Sequence, residues 1–218
     1  MIHQVTLASR DQWLEYRKGF IGGSDVAAIV GLNPWKSNLQ LWREKTGRVD
    51  AEDISENELV RYGTNAEEHL RELFKLDYPQ YSVEYKELNS WTNDKYPFAA
   101  ASLDGWMRDK DSRLGILEIK TATISGAAQK AKWEDEHIPD NYYCQILFYM
   151  AVTDASFAML TAQLKYEHPD REPLKVTKYY RIDRDESVEH DISYLMEKAE
   201  EFWSDIRADR EPPMIIKL

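Results

Sequence analysis

Apolar side chains return every three to four residues along SENELVRYGTNAEEHLRELFKL. Leu59, Tyr62, Ala66, Leu70, Leu73 and Phe74 form one stripe at that spacing, which predicts a long helix with a single buried face. Five further segments follow helical grammar. SRDQWLEYRKG pairs Ser9 with Gln12 as a capping box and stops at Gly19; SNLQLWREKTG repeats this with Ser37, Gln40 and Gly47. GGSDVAAIVG is a glycine-rich turn feeding a short helix that stops at Gly31. Pro139 and Asp140 open a helix through Thr153. The last helix runs from about Arg184 to Ala208, with Ile192, Leu195, Met196, Ala199, Phe202, Trp203 and Ile206 facing inward.

Strand patterns lie between these helices. YSVEYKEL, PFAAASLDGWM and LGILEIKTA are candidates, the last two joined by the polar turn RDKDSR. FAMLTAQLKY and LKVTKYYRI predict a hairpin around EHPDREP. Helices first, then a block of strands, then a helix and more strands predict an α/β fold: a mixed sheet packed by helices. The chain length of 218 residues fits a single domain over 1–218. No internal repeat or low-complexity segment interrupts it.

Composition narrows the class. Hydrophobic residues make up 43% and aromatics 12%, too many large apolar side chains for a disordered chain. Cys144 is the sole cysteine, which excludes an internal disulfide and a cysteine zinc site and favours a reducing cytoplasm. The opening MIHQVTLASRDQW has no basic stretch leading into an apolar core, and ILFYMAV is too short to span a bilayer. The expectation is a cytoplasmic protein with no membrane role. The net charge of −11 argues against a surface coated in basic residues. It leaves room for a local basic groove, or for an acidic site that works through a bound cation.

The strand LGILEIKTA holds one Glu and one Lys amid apolar neighbours. Side chains alternate along a strand, so Glu118 and Lys120 share a face and Ile119 opposes them. Asp104 lies on the preceding segment of the hairpin, within reach of Glu118. Two carboxylates about 4 Å apart repel by roughly 4 kcal/mol at an effective dielectric near 20, so a proton or a cation must sit between them. Hard oxygen donors of this kind suit Mg²⁺ or Mn²⁺, and a neighbouring lysine can orient an attacking water. These parts suit metal-assisted hydrolysis of a phosphodiester. The plain alternative is a solvated Glu–Lys pair and an Asp that makes a turn before Gly105. On the long helix Glu68 points away from the apolar stripe, whereas Glu67 borders it and is placed to supply a third carboxylate.

A second set of residues suits anions. Gly22-Gly23-Ser24-Asp25 opens a helix, where free N–H groups and a hydroxyl make either a phosphate site or a plain N-cap. Asp25 adds like charge there. Arg17, in the last turn of the first helix, either complements the helix dipole or forks onto a phosphate held at Ser24. Gln145 sits in the apolar helix NYYCQILFYMAV and needs partners for its amide, structural or ligand. The five histidines show no metal-ligand spacing.

With these residues in place, Asp104 followed by Glu118-Ile119-Lys120 resembles the core of the PD-(D/E)xK nuclease superfamily. The chain more closely resembles the lambda exonuclease, or YqaJ-like viral recombinase, family. The blocks WLEYRKGFIGGSD, NPWKSNLQLWREKTG, YGTNAEEHLRELF, ASLDGW, LEIKTA, IPDNYYCQILFYMAVT and FWSDIRADREPP occur in the family's order over nearly the full length. The resemblance implies a restriction-endonuclease-like α/β fold with a central mixed sheet. It implies a deoxyribonuclease with Mg²⁺, replaceable by Mn²⁺, that digests linear double-stranded DNA 5′→3′ and leaves 3′ single-stranded tails for phage-type recombination. Asp104 and Glu118 would hold the metal, helped by the Ile119 carbonyl and Glu67, with Lys120 as catalytic lysine. Arg17, Ser24, Ser102 and Gln145 would bind the 5′-phosphate of a duplex end. The implied partners are a single-strand annealing protein and two further copies of the chain in a homotrimeric ring.

Such a ring needs basic residues only on its inner wall, and an acidic exterior would discourage non-specific DNA binding. One position departs from the superfamily pattern: Leu103 stands where a proline is expected before Asp104. A structure-specific endonuclease of the same superfamily, or an inactive DNA-binding scaffold, are the competing readings. Intact Asp104, Glu118 and Lys120 speak against the scaffold.

Overall fold

The computed structural model describes residues 1–168 and 170–215. In chain order the first half comprises β1 (Ile2–Thr6), α1 (Arg10–Lys18), β2 (Ile21–Gly22), α2 (Gly23–Ile29), α3 (Asn38–Lys45) and α4 (Glu58–Asp77). The strands β3 (Ser82–Glu84), β4 (Asn89–Asn93), β5 (Tyr96–Ala101), β6 (Gly105–Arg108) and β7 (Leu114–Ile124) follow. Then come α5 (Ala127–Ala131), α6 (Asp140–Thr153), β8 (Phe157–His168), β9 (Arg171–Asp183) and α7 (Glu186–Arg207).

The mixed sheet has five strands in the order β3-β6-β7-β8-β9. All its pairings are antiparallel except β7–β8, which run parallel and are joined through α5 and α6. A parallel pair needs such a crossover, because no tight turn can reverse the chain twice. β7 is buried from Gly115 to Ile119 on both faces, which explains its near-continuous apolar run. On one face α4 seals a small core of Leu70, Phe74, Met107, Leu117, Ile119, Phe157 and Met159. On the other, α6 packs against α2 and α7 and is buried from Ile146 to Thr153, so it is apolar all round rather than on one stripe.

Four strands form a second sheet, β1-β4-β5-β2, that the sequence does not announce. NSWTN has turn-like composition, yet it pairs with both β1 and β5. The segment PFAAASLDGWM is not one strand. β5 belongs to the second sheet and β6 to the first, and residues 102–104 carry the chain between them. The cause is a contact from β4: the buried Asn89 side chain donates to the Leu103 carbonyl (2.8 Å) and accepts its N–H (3.0 Å). Leu103 is thereby withdrawn from either ladder.

Both serine caps are present, Ser9 accepting from the Gln12 N–H and Ser37 from that of Gln40. The α4 stripe is narrower than its periodicity suggests. Leu70 and Phe74 are buried, but Leu59, Tyr62 and Leu73, on the flanks of the stripe, are exposed. YSVEYKEL yields only the short β3, since Tyr85 leaves the sheet to lie under Arg71. The β8–β9 hairpin forms; residue 169, within the predicted turn EHPDREP, lies outside the described residues. Among the described residues no helix is long and apolar enough to cross a membrane.

Candidate active site

Pairing of β6 with β7 begins at Gly105 opposite Leu117. Beyond Leu117, β7 has no strand partner on that side among the described residues, so its edge from Glu118 to Ile124 is open. Asp104 stands where β6 departs, and its Oδ2 accepts the Ile119 N–H at 2.8 Å. A strand residue directs its N–H and C=O to the same side, so the Ile119 carbonyl also faces this opening. α4 forms the opposite wall. Gly63 approaches so closely that an added methyl would lie 3.2 Å from Thr121 Oγ1, and Glu67, one turn on, is half-buried beside the acids.

Glu118 is 1% exposed. Its Oε1 accepts from Lys120 Nζ at 2.5 Å and from Gln145 Nε2 at 2.7 Å. Burial, together with the charge of Asp104, pushes the Glu118 carboxyl up to about 8. Glu67 rises to about 7 for the same two reasons. Burial also raises Asp104, against the pull of Lys120 and of the Ile119 N–H. Burial acts to lower Lys120, but Glu118 and Asp104 outweigh it and hold its proton more firmly than usual. The raised carboxyls mark acids crowded together out of water, and a divalent cation taking the place of their protons would relieve that crowding.

The donor set fits a hard divalent ion. Asp104 Oδ2 and Glu118 Oε1 are committed to protein donors, while Asp104 Oδ1 and Glu118 Oε2 accept no hydrogen bond among the described residues. With the Ile119 carbonyl they make two carboxylates and one backbone oxygen, the kind of set Mg²⁺ takes while keeping several waters. No three His, Cys, Asp or Glu side chains among the described residues converge closely enough to cage an ion by themselves.

A small cavity lies beyond this cluster, lined by Arg17, Lys45, Ser102 and Tyr149 and by the backbone at Gly22 and Gly23. Asp25 shares it, but its like charge is answered: Oδ2 accepts the Gly22 N–H (2.9 Å) and pairs with Lys45 (2.8 Å). Of the four candidate phosphate ligands, Arg17 and Ser102 line this cavity. Ser24 is exposed on the outer side of α2 and is not part of the lining. Gln145 is turned the other way, its amide engaged by Glu118 and by the Tyr149 hydroxyl (3.1 Å).

Four residues the sequence reading passed over support these sites. Lys45 adds a second cation to the cavity, and Tyr149 forms one of its walls. Asn89 fixes the link that holds Ser102 and Asp104. Arg71 is 5% exposed, donates to the Asp104 carbonyl at 2.7 Å and lies over the Tyr85 ring at 3.6 Å. Its spacing four residues after Glu67 is the one signal that marks it.

Comparison with known proteins places the family and the fold. Residues 12–156 match the YqaJ-like viral recombinase domain. An uncharacterized protein, YqaJ, of Bacillus subtilis (strain 168) is 31% identical over 202 residues, covering 90% of this chain and 56% of that protein. The chain thus spans about half the length of this curated relative. The alkaline exonuclease LHK-Exo of Laribacter hongkongensis superposes with a TM-score of 0.65 at 19% identity, over 91% of this chain and 93% of that one. A phage related exonuclease from Haemophilus somnus 129PT gives 0.57 at 14% identity, over 87% and 96%. These structures share the fold.

Proposed function

The chain belongs to the YqaJ-like viral recombinase domain family, and we propose that it is a Mg²⁺-dependent deoxyribonuclease that digests linear duplex DNA from its 5′ ends. The observation that carries this reading is the placement of Ser102 and Asp104. Ser102 lines the cationic cavity and Asp104 belongs to the acid cluster, at the two ends of the link pinned by Asn89. Two residues reach about 7 Å at most, the order of one nucleotide step. An anion site one step from a hydrolytic centre suits an enzyme that seizes a terminal phosphate and cuts the next bond.

In this reading Arg17, Lys45 and the Ser102 hydroxyl hold the 5′-phosphate, and Arg17 brings the planar fork that matches phosphate oxygens. Asp104, Glu118 and the Ile119 carbonyl would hold the divalent ion, Mg²⁺ or Mn²⁺, with Glu67 beside them. Bound there, the ion supplies Lewis-acid polarisation of the phosphoryl oxygen and acidification of a water. Lys120 keeps its proton and directs positive charge at the attacking water and at the charge developing on the phosphate. Gln145 and Lys120 fix the orientation of Glu118. A ring-shaped homotrimer around the duplex and a single-strand annealing partner complete the proposal, in keeping with a recombinase family.

The test uses linear and covalently closed circular duplex, each with and without Mg²⁺, and linear ends bearing 5′-phosphate or 5′-hydroxyl. Linear 5′-phosphorylated duplex should be degraded only with the metal, and circles should survive. Cutting of closed circles would point to an endonuclease, and no digestion with any divalent ion would leave a DNA-binding scaffold.

A further inference from the structure

Tyr149 belongs to both sites at once. Its ring packs so tightly on Gly23 that a methyl there would lie 2.3 Å from Tyr149 Cε1, so no side chain fits at the head of α2. The same ring lines the cationic cavity beside Arg17, Lys45 and Ser102. Its hydroxyl accepts from Gln145 Nε2 at 3.1 Å, and that nitrogen's other proton goes to Glu118 Oε1 at 2.7 Å. A continuous path of close packing and hydrogen bonds therefore runs from the N-terminal backbone of α2, through Tyr149 and Gln145, to the carboxylate of the acid cluster.

The path is stiff. Tyr149 is 5% exposed, within the stretch of α6 that is buried from Ile146 to Thr153, and Gln145 lies one turn before it on the same face. Glu118 has a single oxygen through which this path can act, because Oε1 is held by both Gln145 and Lys120. A shift of the Tyr149 ring of a few tenths of an ångström changes the direction of the Gln145 amide, and with it the direction of Glu118 Oε2. Buried groups in contact of this kind couple energetically, whereas distant ones act independently.

We infer that Tyr149 is a positioning residue that couples occupancy of the terminal-anion cavity to the alignment of Glu118, so that a bound 5′-phosphate accelerates the chemical step as well as anchoring the end. This coupling rests on the nuclease reading above. It assigns the preference for phosphorylated ends to two separate parts. Arg17 and Lys45 govern how tightly the end is held; Tyr149 governs how well the held end reacts.

The experiment compares wild type with Tyr149→Phe, which keeps the ring against Gly23 and removes only the hydroxyl. Steady-state digestion with Mg²⁺ is followed on linear duplexes ending in 5′-phosphate or 5′-hydroxyl, with kcat and KM measured for each. The ratio of kcat on the phosphorylated end to kcat on the hydroxyl end should fall about tenfold, the order expected for one buried hydrogen bond, with KM for the phosphorylated end within about twofold. Gly23→Ala, which displaces the ring but keeps the hydroxyl, should lower the same ratio. An unchanged ratio in Tyr149→Phe overturns the inference. An equal loss of kcat on both ends overturns it too, since it would mark a merely structural role, and a rise in KM alone would make Tyr149 a simple binding residue. Wild type inactive on every linear end would instead sink the nuclease reading itself.

Discussion

Asn89 grips Leu103 from both sides of its backbone, donating to the carbonyl at 2.8 Å and accepting the N–H at 3.0 Å. This one amide does what a strand neighbour would do, and it sets Ser102 and Asp104 on either flank. It also gives leucine at 103, rather than a proline, a physical reason. A proline at 103 would bring a fixed φ but no N–H, and Asn89 Oδ1 would lose its donor in a buried place.

Leu103→Pro is therefore expected to destabilise the protein by about 1–3 kcal/mol. Urea unfolding measures this as a fall in midpoint at unchanged slope. A midpoint equal to wild type would mean that the Asn89 clamp contributes nothing.

Arg71 is expected to tolerate neither Met nor Lys. Methionine leaves the Asp104 carbonyl without its donor, and lysine loses the flat guanidinium that covers Tyr85. Each should cost about 1–3 kcal/mol in thermal or denaturant unfolding, and each should weaken the response of activity to Mg²⁺. If Arg71→Lys matched wild type in both, a plain positive charge would suffice and the stacking would be incidental.

The metal-free protein should lose stability as pH rises through neutrality. Glu67 and Glu118 hold their protons up to about 7 and about 8 in the folded chain, against an ordinary value of 4.5. The folded state thus binds more protons than the unfolded one across that interval. The resulting stability is complete below about 4.5 and is lost as pH climbs through 7 and 8. Lys120 does not offset this, because its own shift acts only in the alkaline range. A divalent cation replaces the lost protons, so the gain in Tm on adding Mg²⁺ should be larger near pH 8.5 than near pH 6. A gain independent of pH would argue that the ion binds elsewhere.

The parts of this design that were legible in the sequence are those set by local chemistry. Ser9 and Ser37 announce their helices because a hydroxyl three residues before a backbone N–H is a local device. Glu118, Lys120 and Glu67 stand out in the sequence because a charged residue inside an apolar strand, or on the border of an apolar stripe, is costly and conspicuous. What was hidden depends on contacts distant in sequence. The split of PFAAASLDGWM into two sheets follows from Asn89, and nothing in NSWTN marks that residue as a clamp. Gln145 was legible as a buried amide in need of partners, but which partners depends on how α6 rotates against β7. The narrow burial of α4 is also tertiary: Leu59 and Leu73 keep the helical period, yet both are exposed while Leu70 and Phe74 are buried.

The central claim, that Asp104 and Glu118 hold a divalent ion whose presence enables Lys120-assisted hydrolysis, is tested most directly by titrating Mn²⁺ into the protein. Free and bound ion can be followed by electron paramagnetic resonance in wild type, Asp104→Asn and Glu118→Gln. Saturable binding in wild type, lost in both variants while their far-ultraviolet circular dichroism stays native, is the expected outcome. Equal Mn²⁺ binding by all three proteins would contradict it.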